Sequence, residues 1–238
     1  MDGIELAIRF STITNQLHFC GPGSAQKVLK QYIDKKDNAD EVRTSLEKFE
    51  GLYPYLKAIG DASGKDWLDY EVVEAYWIGN ELLQETKETI PQIIEHLAQR
   101  GLPRSWADDL LTRIPEGALP SHLFNVIWVG VGKATGSVPT TLQNMDNCRP
   151  SWGTVKRVMK DHILVERQPL AYVAEQYCYG PSETRTVVYL PEFMEGVKEG
   201  DVIAMHWGFA CLVLSKEQQN NLISYSEKVI DTINSTQS

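Results

Sequence analysis

His18 and Cys20 stand one residue apart and run into Gly21-Pro22-Gly23. A tight turn there would let an imidazole and a thiolate reach one metal ion, or let the imidazole act as base to a sulfur nucleophile. The other cysteines, Cys148, Cys178 and Cys211, are widely spread, with no Cys-x-x-Cys pair. In a chain of this size they are read as reduced and mostly buried, Cys211 above all, beside Leu212, Val213 and Leu214. His206 sits between Met205 and Trp207, where a core histidine with a satisfied hydrogen bond is common. Asp66, Asp69, Glu71 and Glu74 surround an apolar helix face and read as solvated charge. Asp201 reads as a turn residue. The chain has no P-loop, dinucleotide-binding glycine fingerprint, His-Glu-x-x-His or Gly-x-Ser-x-Gly.

The first half must position these residues with helices. Apolar spacing predicts helices over residues 4–12, from Ser24 to about Ile33, over 42–49, and over 52–59 with Pro54 near the start. Gly60 and Gly64 flank an expected break. The densest apolar set lies in 68–78, followed by a long amphipathic helix over 81–99 interrupted near Pro91, and another over 106–114. Tyr53, Tyr55, Tyr76 and Trp77 read most simply as core. Residues 123–131 are apolar and fit either a buried strand or a short helix.

After Cys148 the pattern changes to short β-prone runs over 152–158, 163–167, 184–190 and 201–209, with Asp161-His162 as a turn. The chain closes in a helix from Ser215 to about Ile233, with Ser215 and Gln218 spaced for a capping box. The expected fold class is α+β: an N-terminal helical domain, then a small OB/SH3-like β-barrel with a C-terminal helix. The boundaries are 1–116 for the helical domain, 117–147 for a linker and packing segment, and 148–238 for the barrel with its helix.

The 238 residues carry a net charge of −9 with no Lys/Arg cluster, which argues against nucleic acid or an anionic membrane as partner. No apolar run is long enough to span a bilayer, and the N-terminus lacks a secretory pattern, so a reducing, cytoplasmic setting is expected.

From Cys148 onward the chain resembles the HypC/HupF family of small [NiFe]-hydrogenase assembly chaperones. The resemblance rests on the opening Cys148-Arg149-Pro150-Ser151-Trp152-Gly153-Thr154-Val155, on the segment from Gly200-Asp201 through His206-Trp207-Gly208-Phe209-Ala210, and on the helix over 216–229. Trp152 stands where the family has proline, and the cysteine is internal rather than near a free N-terminus. The whole chain also resembles an uncharacterised bacterial family with a helical N-terminal half and Cys-Gly-Pro and Tyr-Trp-x-Gly-Asn segments.

The HypC/HupF resemblance implies an accessory carrier in hydrogenase maturation. Cys148 and His206 would hold an iron centre bearing cyanide and carbon monoxide, and the partner would be a hydrogenase large subunit or a maturation scaffold protein. Thiolate plus imidazole suits such an iron. Should the helical half pack on the barrel, His18 and Cys20 would join Cys148 and His206 in a tetrahedral iron or zinc site, with His122 a further member. Two other readings stand beside the carrier. One is a cysteine- or metal-dependent enzyme with its site between the halves, favoured by an enclosed pocket; the other is a protein-binding module without metal.

Overall fold

The computed structural model describes residues 1–236. Helices fill the N-terminal half: α1 (Gly3–Gln16), α2 (Ala25–Lys35), α3 (Ala39–Leu46), α4 (Tyr53–Ser63), α5 (Tyr70–Trp77), the short α6 (Leu82–Glu85), α7 (Ile90–Ala98) and α8 (Arg104–Thr112). Local chemistry sets their ends. Asp2 accepts the Glu5 N–H at the start of α1, and Asp69 accepts the Glu71 N–H at the start of α5. Pro54 lies in the first turn of α4, where its missing N–H costs nothing.

Two expectations change here. Gly60 lies inside α4 and Gly64 alone ends it, at φ +68°; a Cβ on Gly60 would press on the backbone of Lys65 and Trp67 at 3.0 Å. The helix expected over 81–99 is three pieces: α6, a 3₁₀ turn at Lys87–Thr89, and α7. The break precedes Pro91, which occupies the first turn of α7. Residues 123–131 are helical: α9 (His122–Phe124) runs into a π-helical segment, Asn125–Gly130. α10 (Leu142–Cys148) then ends on the cysteine.

A small β region follows: β1 (Ser151–Val158), β2 (His162–Arg167), β3 (Leu170–Val173), β4 (Gln176–Tyr179), β5 (Glu183–Val188), β6 (Val202–His206) and β7 (Phe209–Val213). β1 pairs with both β2 and β6, β2 with β5 and β6 with β7, all antiparallel. A parallel Val188–Phe209 pair joins β5 to β7, so the pairings close into a ring in the order β1-β2-β5-β7-β6. β3 and β4 form a separate hairpin.

The strand expected over 201–209 is two strands around a two-residue turn. Trp207 (φ 52°) and Gly208 (φ 71°) both take left-handed geometry, as a tight hairpin turn requires. The C-terminal helix α11 (Lys216–Asn234) forms as expected, and its Ser215–Gln218 capping box is complete.

One continuous apolar core runs through both halves, including Leu6 and Phe10 of α1, Val73 of α5, Val155 of β1, Ile203 of β6 and Leu222 of α11. α1 is the bridge, packing on α2 and α5 and also on β6 and β7. This contact brings side chains from distant parts of the sequence into one cavity.

Candidate metal centre

Three elements deliver three ligating groups to one point. His122 is the first residue of α9, whose start is fixed by Ser121 accepting the Phe124 N–H. Cys148 is the last residue of α10. His206 ends β6, just before the Trp207-Gly208 turn. A ligating atom of each lies within 4.8 Å of the others. The group could hold a metal ion.

The hydrogen bonds around the two rings fix which nitrogens face inward. His206 Nδ1 lies 2.8 Å from Phe10 O of α1. A carbonyl only accepts, so Nδ1 carries the proton and Nε2 keeps its lone pair. That Nε2 is buried and has no hydrogen-bond partner among the described residues. Tyr76 Oη donates to Gly51 O and lies 2.7 Å from His122 Nδ1. With the phenolic proton used on Gly51, His122 Nδ1–H donates to Tyr76 in the tautomer a metal would select, which leaves Nε2 its lone pair; in the other tautomer Nε2–H donates to Cys148 O. His122 Nε2 is 3.5 Å from Cys148 Sγ and 3.1 Å from Cys148 O. In the metal-selected tautomer of His122, both outer N–H groups are anchored and both inner nitrogens converge beside a thiol, as around metal-ligating histidines.

The electrostatics of burial agree. Burial, reinforced by the neighbouring His206, pushes His122 well below the ordinary imidazole value. Burial pushes His206 down to about 4 and the Cys148 thiol up to about 12. The indole of Trp207 favours the Cys148 thiolate, though its N–H closes no hydrogen bond among the described residues. The three groups are therefore neutral without a cation, and a divalent ion would displace the thiol proton.

Cys148 is held by its neighbours in sequence. Asp146 accepts Arg149 Nε at 3.1 Å and the Leu170 N–H at 2.7 Å, and it pairs with Arg167. Burial works against the Asp146 carboxylate, but the two guanidinium groups and the Leu170 N–H overcome it and hold its pKa below the ordinary value. Asn147 O accepts the Trp207 N–H at 2.6 Å, and Asn147 Oδ1 accepts from Arg185 at 2.6 Å. The end of α10 is thereby tied to the β6–β7 turn that follows His206.

The three groups border a cavity of about 70 Å³, whose lining also includes Phe19, Cys20, Tyr76, Trp77, Asn125 and Trp207. It has room for a few water-sized groups. Phe19 and Trp207 pack with ring centroids 4.6 Å apart, and Trp77 lies 4.3 Å from His122 and 5.1 Å from His206. Tyr76 and Trp77, expected as core, are buried and also line the cavity.

Of the residues singled out in the sequence, Cys148 and His206 come together, and His122 completes the group. Cys20 lines the same cavity without belonging to the close triad. His18 is exposed and outside both: it takes φ 58° as the chain leaves α1, and nearness to Cys20 in sequence does not aim its ring inward. All four cysteines are free thiols; Cys211 is buried, whereas Cys20, Cys148 and Cys178 are half-buried. Tyr76 was not readable as a partner of His122, since the two are joined only by packing α5 against α9.

Fold and site define an α+β protein with helices in its N-terminal half, a small β region, a C-terminal helix and a buried two-histidine, one-cysteine group. The whole chain, residues 1–238, matches a family of unknown function (DUF6390), and the protein belongs to that family. No curated protein and no solved structure matches the chain.

Proposed function

We propose that the protein binds one transition-metal ion through His122 Nε2, Cys148 Sγ and His206 Nε2, with a further coordination position open to the cavity. The observation that carries this reading is the buried, unpartnered Nε2 of His206, which shares its surroundings with a second imidazole nitrogen and a thiol. A buried polar atom without a partner is costly, and a cation would remove that cost here. Two imidazoles and one thiolate suit zinc, iron or copper. Three protein ligands with an open position is the pattern of a reactive site rather than a structural one. This favours a metal-dependent enzyme with its site between the helical half and the β region.

The Cys148–His122 pair also has the residue types of a nucleophile and its base. Their environment opposes that role: burial favours neutral thiol and neutral imidazole over the thiolate–imidazolium pair.

The juxtaposition of Cys148 and His206 gives a second reading its support. These are the two residues the HypC/HupF resemblance pairs, and the cavity has room for diatomic groups. In this reading the closed strand ring is a small OB/SH3-like barrel. The protein is then an accessory carrier in [NiFe]-hydrogenase maturation that holds iron with cyanide and carbon monoxide and meets a hydrogenase large subunit or scaffold protein. The third ligand, His122, and the burial of both histidines favour a resident ion over a cargo that must leave.

Anaerobic purification with metal analysis and infrared spectroscopy separates the readings. Stoichiometric metal without bands in the cyanide and carbon monoxide region supports the resident site. Iron with those bands supports the carrier. A preparation that neither retains nor takes up metal rejects both.

A further inference from the structure

The cavity has another proton-bearing wall. Cys20 lines it from the loop after α1. Its Sγ donates to Glu50 Oε2 at 3.5 Å, and the same oxygen accepts the Gly21 N–H at 2.9 Å. Asn15 Nδ2 donates to Cys20 O at 3.1 Å and to Pro22 O at 2.9 Å, so the loop is fixed from α1. Gly21 is required at its turn: φ is +76°, and a Cβ there would meet the Phe49 ring at 2.5 Å. The thiol is thus held between the cavity and a half-buried carboxylate.

The rest of the lining narrows what could enter. No Lys, Arg, Asp or Glu lines the cavity among the described residues. Thr14 and Ser137 use their hydroxyl protons on Ser11 O at 2.9 Å and Phe19 O at 2.8 Å, and Tyr76 uses its own on Gly51 O. An anion would be attracted by the bound ion itself, but on its way in from water it would lose hydration and find no cationic side chain along the cavity. A small neutral molecule would not meet that entry penalty. If it is to bind the metal as an anion, it must give up a proton, and Cys20 with Glu50 leads away from the cavity.

We propose that the open metal position takes a small neutral weak acid, of the class of water or hydrogen sulfide, and that Cys20 and Glu50 carry away its proton. This rests on the metal reading. As the metal–X bond forms, the X–H bond breaks and its proton passes to Cys20 Sγ. The Cys20 S–H proton passes to Glu50 Oε2, and Glu50 later releases it to water. The metal keeps its oxidation state, and Cys20 ends as the thiol it began as. Burial and the Glu50 charge push the Cys20 thiol up to about 12, so it serves as a protonated relay rather than a standing thiolate. Besides Glu50, it feels Cys148 and Tyr76 across the cavity.

The test uses the full chain loaded with cobalt(II), whose thiolate charge-transfer band reports the sulfur ligand. Binding of hydrogen sulfide is followed by stopped flow at a pH where the neutral acid dominates. Cys20→Ala and Glu50→Gln should each slow association by about 100-fold or more, the lower end of what lost proton-transfer assistance costs. Cobalt content and band intensity should stay as in the unsubstituted protein, and Cys20→Ser should recover part of the rate. Unchanged rates in both variants would overturn the relay. Loss of charge-transfer intensity in Cys20→Ala would overturn it differently, by making Cys20 a ligand. Failure of the unsubstituted protein to take up cobalt would remove the metal reading itself, and the relay with it.

Discussion

Tyr76 does more than fill the core between α5 and α9. By donating to Gly51 O it leaves its oxygen to accept from His122 Nδ1, and so it favours the tautomer whose Nε2 lone pair faces Cys148. Removing such an outer partner of a metal-bound histidine typically weakens metal binding by roughly 10- to 100-fold. Tyr76→Phe should show that loss in a metal-competition titration while its circular dichroism stays unchanged.

The two histidines also predict how the metal-free protein responds to acid. An ordinary imidazole titrates near 6.5, and buried His206 near 4. Between those values the unfolded chain binds a proton that the fold refuses, so stability falls as pH drops through this window. His122, displaced in the same direction, adds to the loss. Thermal unfolding of the metal-free protein should show a falling Tm from about pH 6.5 towards pH 4. Replacing His206 by Gln should flatten that slope.

At this scale the sequence was partly legible. His206 and Cys148 were marked by a motif, but His122 stands alone in an apolar run and carries no spacing signal. His18 misled for the opposite reason: the His-x-Cys spacing is a signal, but the left-handed backbone at His18 leaves its ring outside the cavity.

Among the elements, the helices were the most readable, because an amphipathic stripe records the face a helix buries. Helices α1, α2, α5, α8 and α11 fall where apolar spacing puts them. The hairpin of β3 and β4 was missed: its turn is built on Ala174 (φ 49°) and Glu175 (φ 63°), not on the glycine or asparagine that announces such geometry. β7 was missed because the Trp207-Gly208 turn lies within what reads as one continuous apolar strand.

The close approach of Gly79 to α11 makes its own prediction. Gly79, just past α5, has φ +98°, and a Cβ there would meet Tyr225 of α11 at 2.6 Å. Gly79→Ala combines backbone strain with overpacking, so a loss of about 2 kcal/mol is expected in denaturant unfolding. Ser215→Ala, which removes the α11 cap, should cost about 1 kcal/mol in the same assay.

For the whole molecule, the site is assembled where α1 packs against the β6–β7 hairpin and where Asn147 of α10 accepts the Trp207 N–H. Phe10 on α1 accepts from His206 through its carbonyl and stacks on Trp77 through its ring, with centroids 4.7 Å apart. A bound ion would tie α9, α10 and β6 together and stabilise the fold as a unit. At about 100 times its Kd, a ligand that binds only the folded state adds roughly 2.7 kcal/mol. The Tm should rise with added metal and return on chelation. This long-range arrangement is only partly legible: the resemblance pairs Cys148 with His206, but no local pattern fixes that His122 of α9 meets them.

The most direct test of the metal centre is X-ray absorption at the metal edge of the stoichiometrically loaded protein. The predicted first shell holds one sulfur and two imidazole nitrogens with at least one light, exchangeable ligand, and Cys148→Ala removes the sulfur. A first shell without sulfur and imidazole nitrogens, or one unaltered by Cys148→Ala, would contradict the His122–Cys148–His206 centre.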